Sequence, residues 1–172
     1  AVVGGGGGRS VQSADACEEN GLELVPLPPE IRERVREAAP MLADWVRNPV
    51  DQSILAGSGL SSNRLLGWML EGDDYDAGIA NVGEEWFLGR PDAAARLRHA
   101  CDRLAEIVAA APKPVAVVLG VTETVVPWQR ELIDEVRAGF VARGRAAATL
   151  GRLTLVKRPG SRSSQASPGT TI

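Results

Sequence analysis

The sequence is poor in cysteine, histidine, lysine and aromatic residues, and these shortages exclude several classes of protein. Its 172 residues include two cysteines, too few for a disulfide scaffold, and only one histidine. No window holds 18 uncharged apolar residues, and the first residues lack the charged start and cleavage site of a signal peptide. We therefore expect no membrane span, no export and a cytoplasmic location.

The two cysteines are predicted to be structural. Cys17 and Cys101 each fall on the apolar side of a helical pattern, where a thiol usually packs as a small hydrophobe. A single domain of this length buries roughly 70% of the surface of the extended chain, so its core needs no metal or disulfide. The sequence thus predicts one domain, at residues 1–157, that folds without such help.

Charge is distributed unevenly along the chain. Residues 1–142 contain 13 basic and 22 acidic residues, a charge of −9, whereas the remainder carries +6. A basic end is able to bind nucleic acid. We interpret it instead as a basic helix terminus followed by a disordered basic tail at residues 158–172, rich in Ser, Pro and Gly. No nucleic-acid partner is expected.

Strand-like and helix-like patterns alternate along the sequence. Apolar runs predict strands at residues 1–3, 22–27, 77–82 and 115–119, with an edge strand at 140–142. Helices are predicted after the Gly-rich turn, from Pro29, at 65–70, from an Asp92 N-cap, along Trp128, Leu132, Val136 and Phe140, and at 145–156. This alternation predicts a doubly wound α/β fold with a mainly parallel sheet of four or five strands. Its ligands are expected at the carboxyl ends of the strands.

The Gly-rich loop is the most informative feature of the sequence. Residues 4–8 are all glycine and stand between a predicted strand and a predicted helix, followed by Arg9 and Ser10. Such a loop lets the backbone approach a ligand, and the first N–H groups of the helix favour an anion. Ser10 is a candidate helix cap, and Arg9 adds a charge for phosphate. The alternative is that the glycines form only a flexible connection.

Two nucleotide-binding motifs fit this loop poorly. The Rossmann fingerprint requires an acidic residue at the end of the second strand, where this chain reads Leu24-Val25-Pro26-Leu27-Pro28. A Walker loop requires Gly-Lys-Ser or Gly-Lys-Thr, and the only lysines are Lys113 and Lys157.

No other cluster forms a convincing catalytic set. We interpret Asp73, Asp74 and Asp76 as a solvated turn, with a metal site as the minor alternative. His99 stands alone among arginines on the charged side of a helix. Glu84 and Glu85 follow a strand but have no partner that the sequence identifies.

A longer pattern suggests a family. Residues 7–24 read GGRSVQSADACEENGLEL, and Asn48-Pro49-Val50-Asp51 follows. Asp76 enters a strand, Lys113-Pro114-Val115 enters the next, and Arg145-Ala146-Ala147 opens the last predicted helix. Together this order resembles the flavodoxin-like domain of the NDP-forming acyl-CoA synthetases, the superfamily of succinyl-CoA ligase. The resemblance covers about residues 1–158 and implies a flavodoxin-like three-layer sandwich.

The resemblance implies a reaction as well as a fold. In that family carboxylate, CoA and ATP give acyl-CoA, ADP and phosphate through an acyl phosphate and a phosphohistidine on a mobile loop, with Mg in the complete enzyme. The residues that would hold the phosphoryl group through backbone N–H groups are Gly7, Gly8, Arg9, Ser10 and Val11. Supporting loop residues are Asn48, Asp51, Asn81, Gly83 and Gly120.

The chain also departs from the family pattern. It lacks the phosphohistidine motif, the CoA-binding Rossmann domain and the ATP-grasp domain, and His99 has the wrong context to replace the phosphohistidine. Arg9 and Ser10 stand where many members have a small residue and glycine. We therefore expect a segment that binds rather than turns over, with partner domains or subunits and an oligomeric assembly.

Two alternative functions remain open. The first is a non-catalytic regulatory or protein-binding module, such as one attached to an acetyltransferase. The second, an FMN-binding flavodoxin, is disfavoured because flavodoxin phosphate loops are rich in Ser and Thr, whereas this loop is nearly all glycine.

Overall fold

The computed structural model describes residues 1–83 and 92–119, the backbone of 146–150, and isolated helical positions between 127 and 138. In chain order the elements are β1 (Val2–Gly4), α1 (Gly7–Glu19), α2 (Pro29–Ala38), a 3-10 turn (Pro40–Leu42), α3 (Ser62–Glu71), β2 (Gly78–Val82), α4 (Ala93–Ala110), β3 (Val115–Leu119) and β4 (Ala146–Leu150). The protein is therefore of the α/β class, as the sequence predicts.

These strands form a parallel sheet in the order β1-β2-β3-β4. One row across the sheet contains Val3, Ala80, Val117 and Ala148, each in register with the next. The parallel arrangement confirms the prediction from uninterrupted apolar runs. The four strands follow chain order, and Val50, which precedes β2 in the chain, forms a parallel bridge with Val3 on the other edge of β1. The direction of the order therefore changes at β1.

Side chains of the first three strands are buried on both faces of the sheet. Successive residues of a strand point to opposite faces, so Val2 and Val3 enter different clusters. The larger cluster contains Val3 and Val117, together with most of the buried residues of α2, α3 and α4. The smaller one contains Val2, Cys17, Ile79 and Val118. The α1 side of the sheet is thus the thinner part of the described core.

Local sequence signals set most of the helix ends. Helix α1 is followed by Asn20 and by Gly21 at φ 69°, as expected for a glycine stop. Helix α2 begins at Pro29, where the missing N–H costs no hydrogen bond. Asp92 is the N-cap residue of α4, although its side chain makes no cap hydrogen bond. Cys17 and Cys101 are both buried, as predicted.

The predicted strand at residues 22–27 is wrong. The segment contains no strand, and the free edge of β1 is occupied by a later part of the chain. Val50 N–H donates to Val2 O at 2.8 Å, and Gly4 N–H donates to Val50 O at 3.1 Å. Pro26, which has no N–H, also removes one donor that a strand at 22–27 would need.

The predicted helix at 145–156 is also wrong over its described part. Residues Ala146–Leu150 form β4 and pair in register with β3. Alanine favours helices, but an unpaired edge of a parallel sheet offers hydrogen bonds that outweigh this small intrinsic preference.

Several predictions fall outside the described residues. These are the side chains that mark the helix from Trp128 to Phe140, the edge strand at 140–142, Glu84, Glu85, Gly120 and the tail at 158–172. Among the helices that the structure describes, none combines the length and the apolar composition needed to cross a bilayer.

Candidate functional site

The loop between β1 and α1 depends on two glycines with left-handed backbone. Gly4 has φ 85° and Gly5 has φ 72°. A Cβ atom on Gly4 would lie 2.1 Å from Asn81 O, so the backbone of β2 occupies the space that a side chain would need. Both conditions favour glycine over any other residue here. The loop is therefore a defined turn, which argues against a merely flexible connection.

Helix α1 begins directly after this turn. Its N-cap is Gly6, which supplies no side-chain cap, and no acidic residue lies in the first turn. The Ser10 N–H group donates to Gly6 O at 3.0 Å, so intrahelical bonding starts at Ser10. The amides of Gly7 and Gly8 precede this bond and have no acceptor within the helix.

This geometry narrows the set of candidate phosphate-binding residues. The Ser10 amide is used inside the helix, and Val11 lies a further position along it, so backbone donors to a ligand are confined to the first turn. The predicted capping role of Ser10 is wrong, because Gly6 is the N-cap. The Ser10 hydroxyl is instead buried, and among the described residues it has no hydrogen-bond partner.

Arg9 folds back over the turn. A Cβ atom on Gly5 would lie 2.8 Å from the Cβ and 3.0 Å from the Cδ of Arg9, so the aliphatic part of the arginine packs against Gly5. The side chain is partly buried. Arg9 is the third residue of α1, so its aliphatic part covers the start of the helix beside the turn.

The segment from Asn48 to Gln52 runs beside the Gly-rich turn. Gln52 N–H donates to Gly5 O at 3.0 Å. Asp51 Oδ1 accepts from the backbone N–H and the hydroxyl of Ser53, at 2.7 and 2.6 Å. Asp51 Oδ2 lies 3.1 Å from the point where a Cβ of Gly7 would be. The carboxylate thus lies beside the N-terminus of α1.

At the edge of β1, the Asn48 side chain makes a hydrogen bond that the backbone of a neighbouring strand would otherwise make. Its Oδ1 accepts from Val2 N–H at 2.8 Å, and its Nδ2 donates to Val25 O at 2.9 Å. The side chain therefore holds β1 and the chain before α2 together. Sequence reasoning placed Asn48 and Asp51 in a neighbouring loop, but the contact of Asp51 with Gly7 had no signal in the sequence.

Asn81 connects the sheet to α1. It is 8% exposed, and its Nδ2 lies 3.4 Å from Val3 O and 3.3 Å from Ser13 Oγ. Gly83 follows β2 directly and is buried. The structure thus brings Asn81 near the Gly-rich turn as a supporting residue, with its amide directed to protein groups.

The remaining candidates do not assemble into a catalytic set. His99 is exposed on α4, and Asp73, Asp74 and Asp76 are exposed before β2. Among the described residues no group of His, Cys, Asp or Glu is arranged to hold a metal ion. Burial raises the pKa of the Cys17 thiol, which disfavours the reactive thiolate. The groups that the described turn presents to a ligand are the backbone N–H groups at the start of α1.

Comparison of the chain with protein-family models, with curated proteins and with solved structures found no significant match.

Proposed function

We propose that this chain is a domain of an NDP-forming acyl-CoA synthetase that presents the N-terminus of α1 to the phosphoryl group of a phosphohistidine supplied by another domain. The observation that carries the proposal is the turn at Gly4 and Gly5, which ends at a helix start with unused amides at Gly7 and Gly8. An anion at this position accepts N–H groups and meets the positive end of the helix dipole.

The position of the turn in the sheet supports the same proposal. The turn follows the carboxyl end of β1, and ligands of parallel α/β sheets bind at the carboxyl ends of the strands. The proposal includes a flavodoxin-like three-layer arrangement around the parallel sheet. It also includes a cytoplasmic location and an assembly with CoA-binding and ATP-grasp domains, which would supply CoA, ATP and Mg.

The carboxylate of Asp51 allows the electrostatic contribution to phosphate binding at this site to be tested. Its Oδ2 lies next to Gly7, so a free phosphate dianion at the helix start would be repelled by a carboxylate. Replacement by asparagine removes this charge and retains an Oδ1 that accepts from Ser53. We therefore expect Asp51→Asn to tighten phosphate binding about tenfold, the effect of roughly 1.4 kcal/mol of repulsion.

The test is a titration of the ¹⁵N-labelled chain with inorganic phosphate, followed by amide chemical shifts. We expect the largest shifts at Gly7, Gly8 and Arg9, and smaller ones in β3. Absence of shifts at Gly7 and Gly8 at tens of millimolar phosphate, in both the native chain and Asp51→Asn, would contradict the site.

Gly8 offers a matched pair of control variants. A Cβ atom there meets nothing within 4 Å, so Gly8→Ala fits the available space. Alanine keeps the N–H group, and proline, which the first turn of a helix tolerates, removes it. We expect phosphate affinity to survive in Gly8→Ala and to fall in Gly8→Pro, with circular dichroism showing that both variants fold.

The second candidate function is a non-catalytic module derived from the same family. The favouring observation is that the sequence lacks the phosphohistidine motif of the family. Sequencing the coding region on both sides of this segment separates the two. A neighbouring Rossmann domain with a phosphohistidine loop supports the synthetase, whereas a neighbouring acetyltransferase supports the module.

A further inference from the structure

A second concave site lies on the opposite face of the sheet from α1. An open cavity of about 680 Å³ runs between α3 and α4 beside the carboxyl end of β2. Cavities of about 300–1,000 Å³ are typical of small-molecule sites. Its described lining is apolar along the two helices, through Leu104 and Ile107, and polar at the start of α3.

A glycine in the middle of α3 lines the cavity. Gly67 is partly exposed, and a Cβ placed on it would meet only Ile107 Cγ2, at 3.8 Å. Close helix packing therefore does not require glycine at this position, because alanine would make an ordinary contact. Glycine inside a helix costs about 1 kcal/mol relative to alanine. Because Gly67 lines the cavity, a side chain much larger than that of alanine would fill the cavity floor.

The polar end of the cavity is electropositive. Ser61 caps α3 by accepting Arg64 N–H at 3.2 Å, and the Arg64 guanidinium lies 4.9 Å from the centre of the Trp68 ring. The Arg64 guanidinium thus lies about one turn along α3 from the helix N-terminus, and the two place positive charge on the α3 side of the lining. The acidic group of the lining, Glu71, is paired with Arg34 at 2.6 Å.

The other arginine of the lining contributes less to this charge. Arg103 lies on the α4 side and pairs with Glu106 at 2.7 Å. Arg64 and Arg103 are both exposed, but the charge of Arg103 is balanced by Glu106, whereas no ion pair of Arg64 is found among the described residues. Recognition of a charged group is therefore assigned to Arg64 and the start of α3.

We infer that the cavity between α3 and α4 binds a small organic anion with an apolar body. The anionic group lies at the start of α3 beside Arg64, and the apolar body lies over Gly67 against Leu104 and Ile107. The apolar wall supplies burial, and the cationic end supplies orientation. This site is independent of the phosphate site proposed at α1.

The test uses hexanoate as the probe, with 1-hexanol as an uncharged probe of the same chain length. Hexanoate should shift the amides of Arg64, Gly67 and Ile107 and bind at least about tenfold more tightly than hexanol, consistent with one charge-assisted hydrogen bond. Arg64→Gln should weaken hexanoate about tenfold and leave hexanol unchanged. Inorganic phosphate should shift Gly7 and Gly8 instead, so failure at one site is distinguished from failure at the other.

Two substitutions of Gly67 test the apolar part of the proposed binding site. Gly67→Ala should retain hexanoate affinity within about twofold, whereas Gly67→Leu should fill the floor and weaken binding at least about tenfold. Thermal unfolding establishes that both variants fold. The inference is overturned if hexanoate causes no shifts at Arg64, Gly67 and Ile107, if hexanol binds equally well, or if Gly67→Leu binds as tightly as the native chain.

Discussion

At the residue scale, single glycines in this protein have opposite structural roles. Gly4 combines φ 85° with a backbone oxygen in the place of its missing Cβ, whereas Gly8 stands in open space within a helix. The sequence shows only a run of five glycines and does not separate these roles. The separation arises from the approach of Asn81 in β2, a contact between residues far apart in the chain.

Replacement of Gly4 by alanine should therefore be strongly destabilising. A Cβ 2.1 Å from Asn81 O and a left-handed φ together predict a loss of about 3 kcal/mol or more in the free energy of unfolding. Gly8→Ala, with open space and a helical position, should be neutral or raise stability by up to about 1 kcal/mol. Urea denaturation measures both; equal effects at the two positions would disprove the assigned geometry.

Tyr75 gives a pH-dependent prediction at the same scale. Its hydroxyl donates to Pro26 O at 3.1 Å, and burial, aided by the charge of Asp74 and opposed by Arg32, raises its pKa to about 12. Because the folded-state pKa lies above the value near 10 expected in the unfolded chain, the protonated phenol favours folding. This contribution is complete below pH 10 and is lost as the pH rises to about 12.

The titration of Tyr75 is directly observable, because it is the only tyrosine in the chain. Absorbance at the phenolate band should show a midpoint near pH 12 in the folded protein and near 10 in urea. Tyr75→Phe should remove this source of stability loss above pH 10 and cost about 1 kcal/mol at neutral pH. A folded-state midpoint near 10 would contradict the burial of the hydroxyl.

At the element scale, α1 is attached to the sheet less firmly than α3. The buried residues of α1 are Ser10, Ser13 and Cys17, and only Cys17 joins the smaller described cluster. Helix α3 contributes six buried residues to the opposite side of the molecule. Small polar side chains bury little apolar surface, so α1 gains less from packing.

We therefore expect α1 to open locally before α3 does. Native-state hydrogen exchange should give lower opening free energies for amides of α1, such as those of Ala14 and Cys17, than for Leu66 and Met69 in α3. Ser13→Ala, which removes the acceptor 3.3 Å from Asn81 Nδ2, should lower the values in α1 selectively. Equal protection of the two helices would show that α1 is held by more than these contacts.

The predictions of helices and strands were correct where local sequence is sufficient and wrong where a distant partner decides the structure. Helices α2 and α4 carry strong periodic patterns and clear start signals at Pro29 and Asp92, so local sequence was sufficient. The strand predicted at 22–27 and the helix predicted at 145–156 were wrong, because the partner that decides each of them is distant. Val50 takes the edge of β1, and β3 pairs with β4.

At the scale of the whole molecule, α3 packs closely on the sheet at Gly78 in the larger core. A Cβ on Gly78 in β2 would lie 3.0 Å from Leu66 Cδ1 and 3.3 Å from Leu70 Cδ1. Leu66 and Leu70 are fully buried in the larger cluster. The distance between sheet and helix is therefore set by a glycine that leaves room for two leucines.

This contact predicts that substitutions at Gly78 and Leu66 have non-additive effects on stability. Gly78→Ala should cost about 1–3 kcal/mol by overpacking, and Leu66→Ala about 3–4 kcal/mol by leaving a cavity. In the double variant the truncated Leu66 leaves room for the new methyl group, so Gly78→Ala should cost at least about 1 kcal/mol less there. Additive effects in urea denaturation would contradict the close packing of β2 on α3.

The sequence by itself determined the α/β class, the parallel character of the apolar strands, most helix boundaries and the place of the Gly-rich turn, because each depends on short-range patterns. Only the tertiary structure decided which strand edge Val50 occupies, that Ala146–Leu150 is a strand, and that Asp51 lies beside Gly7. These features depend on contacts between distant segments, for which hydrophobic periodicity and residue preference contain no information.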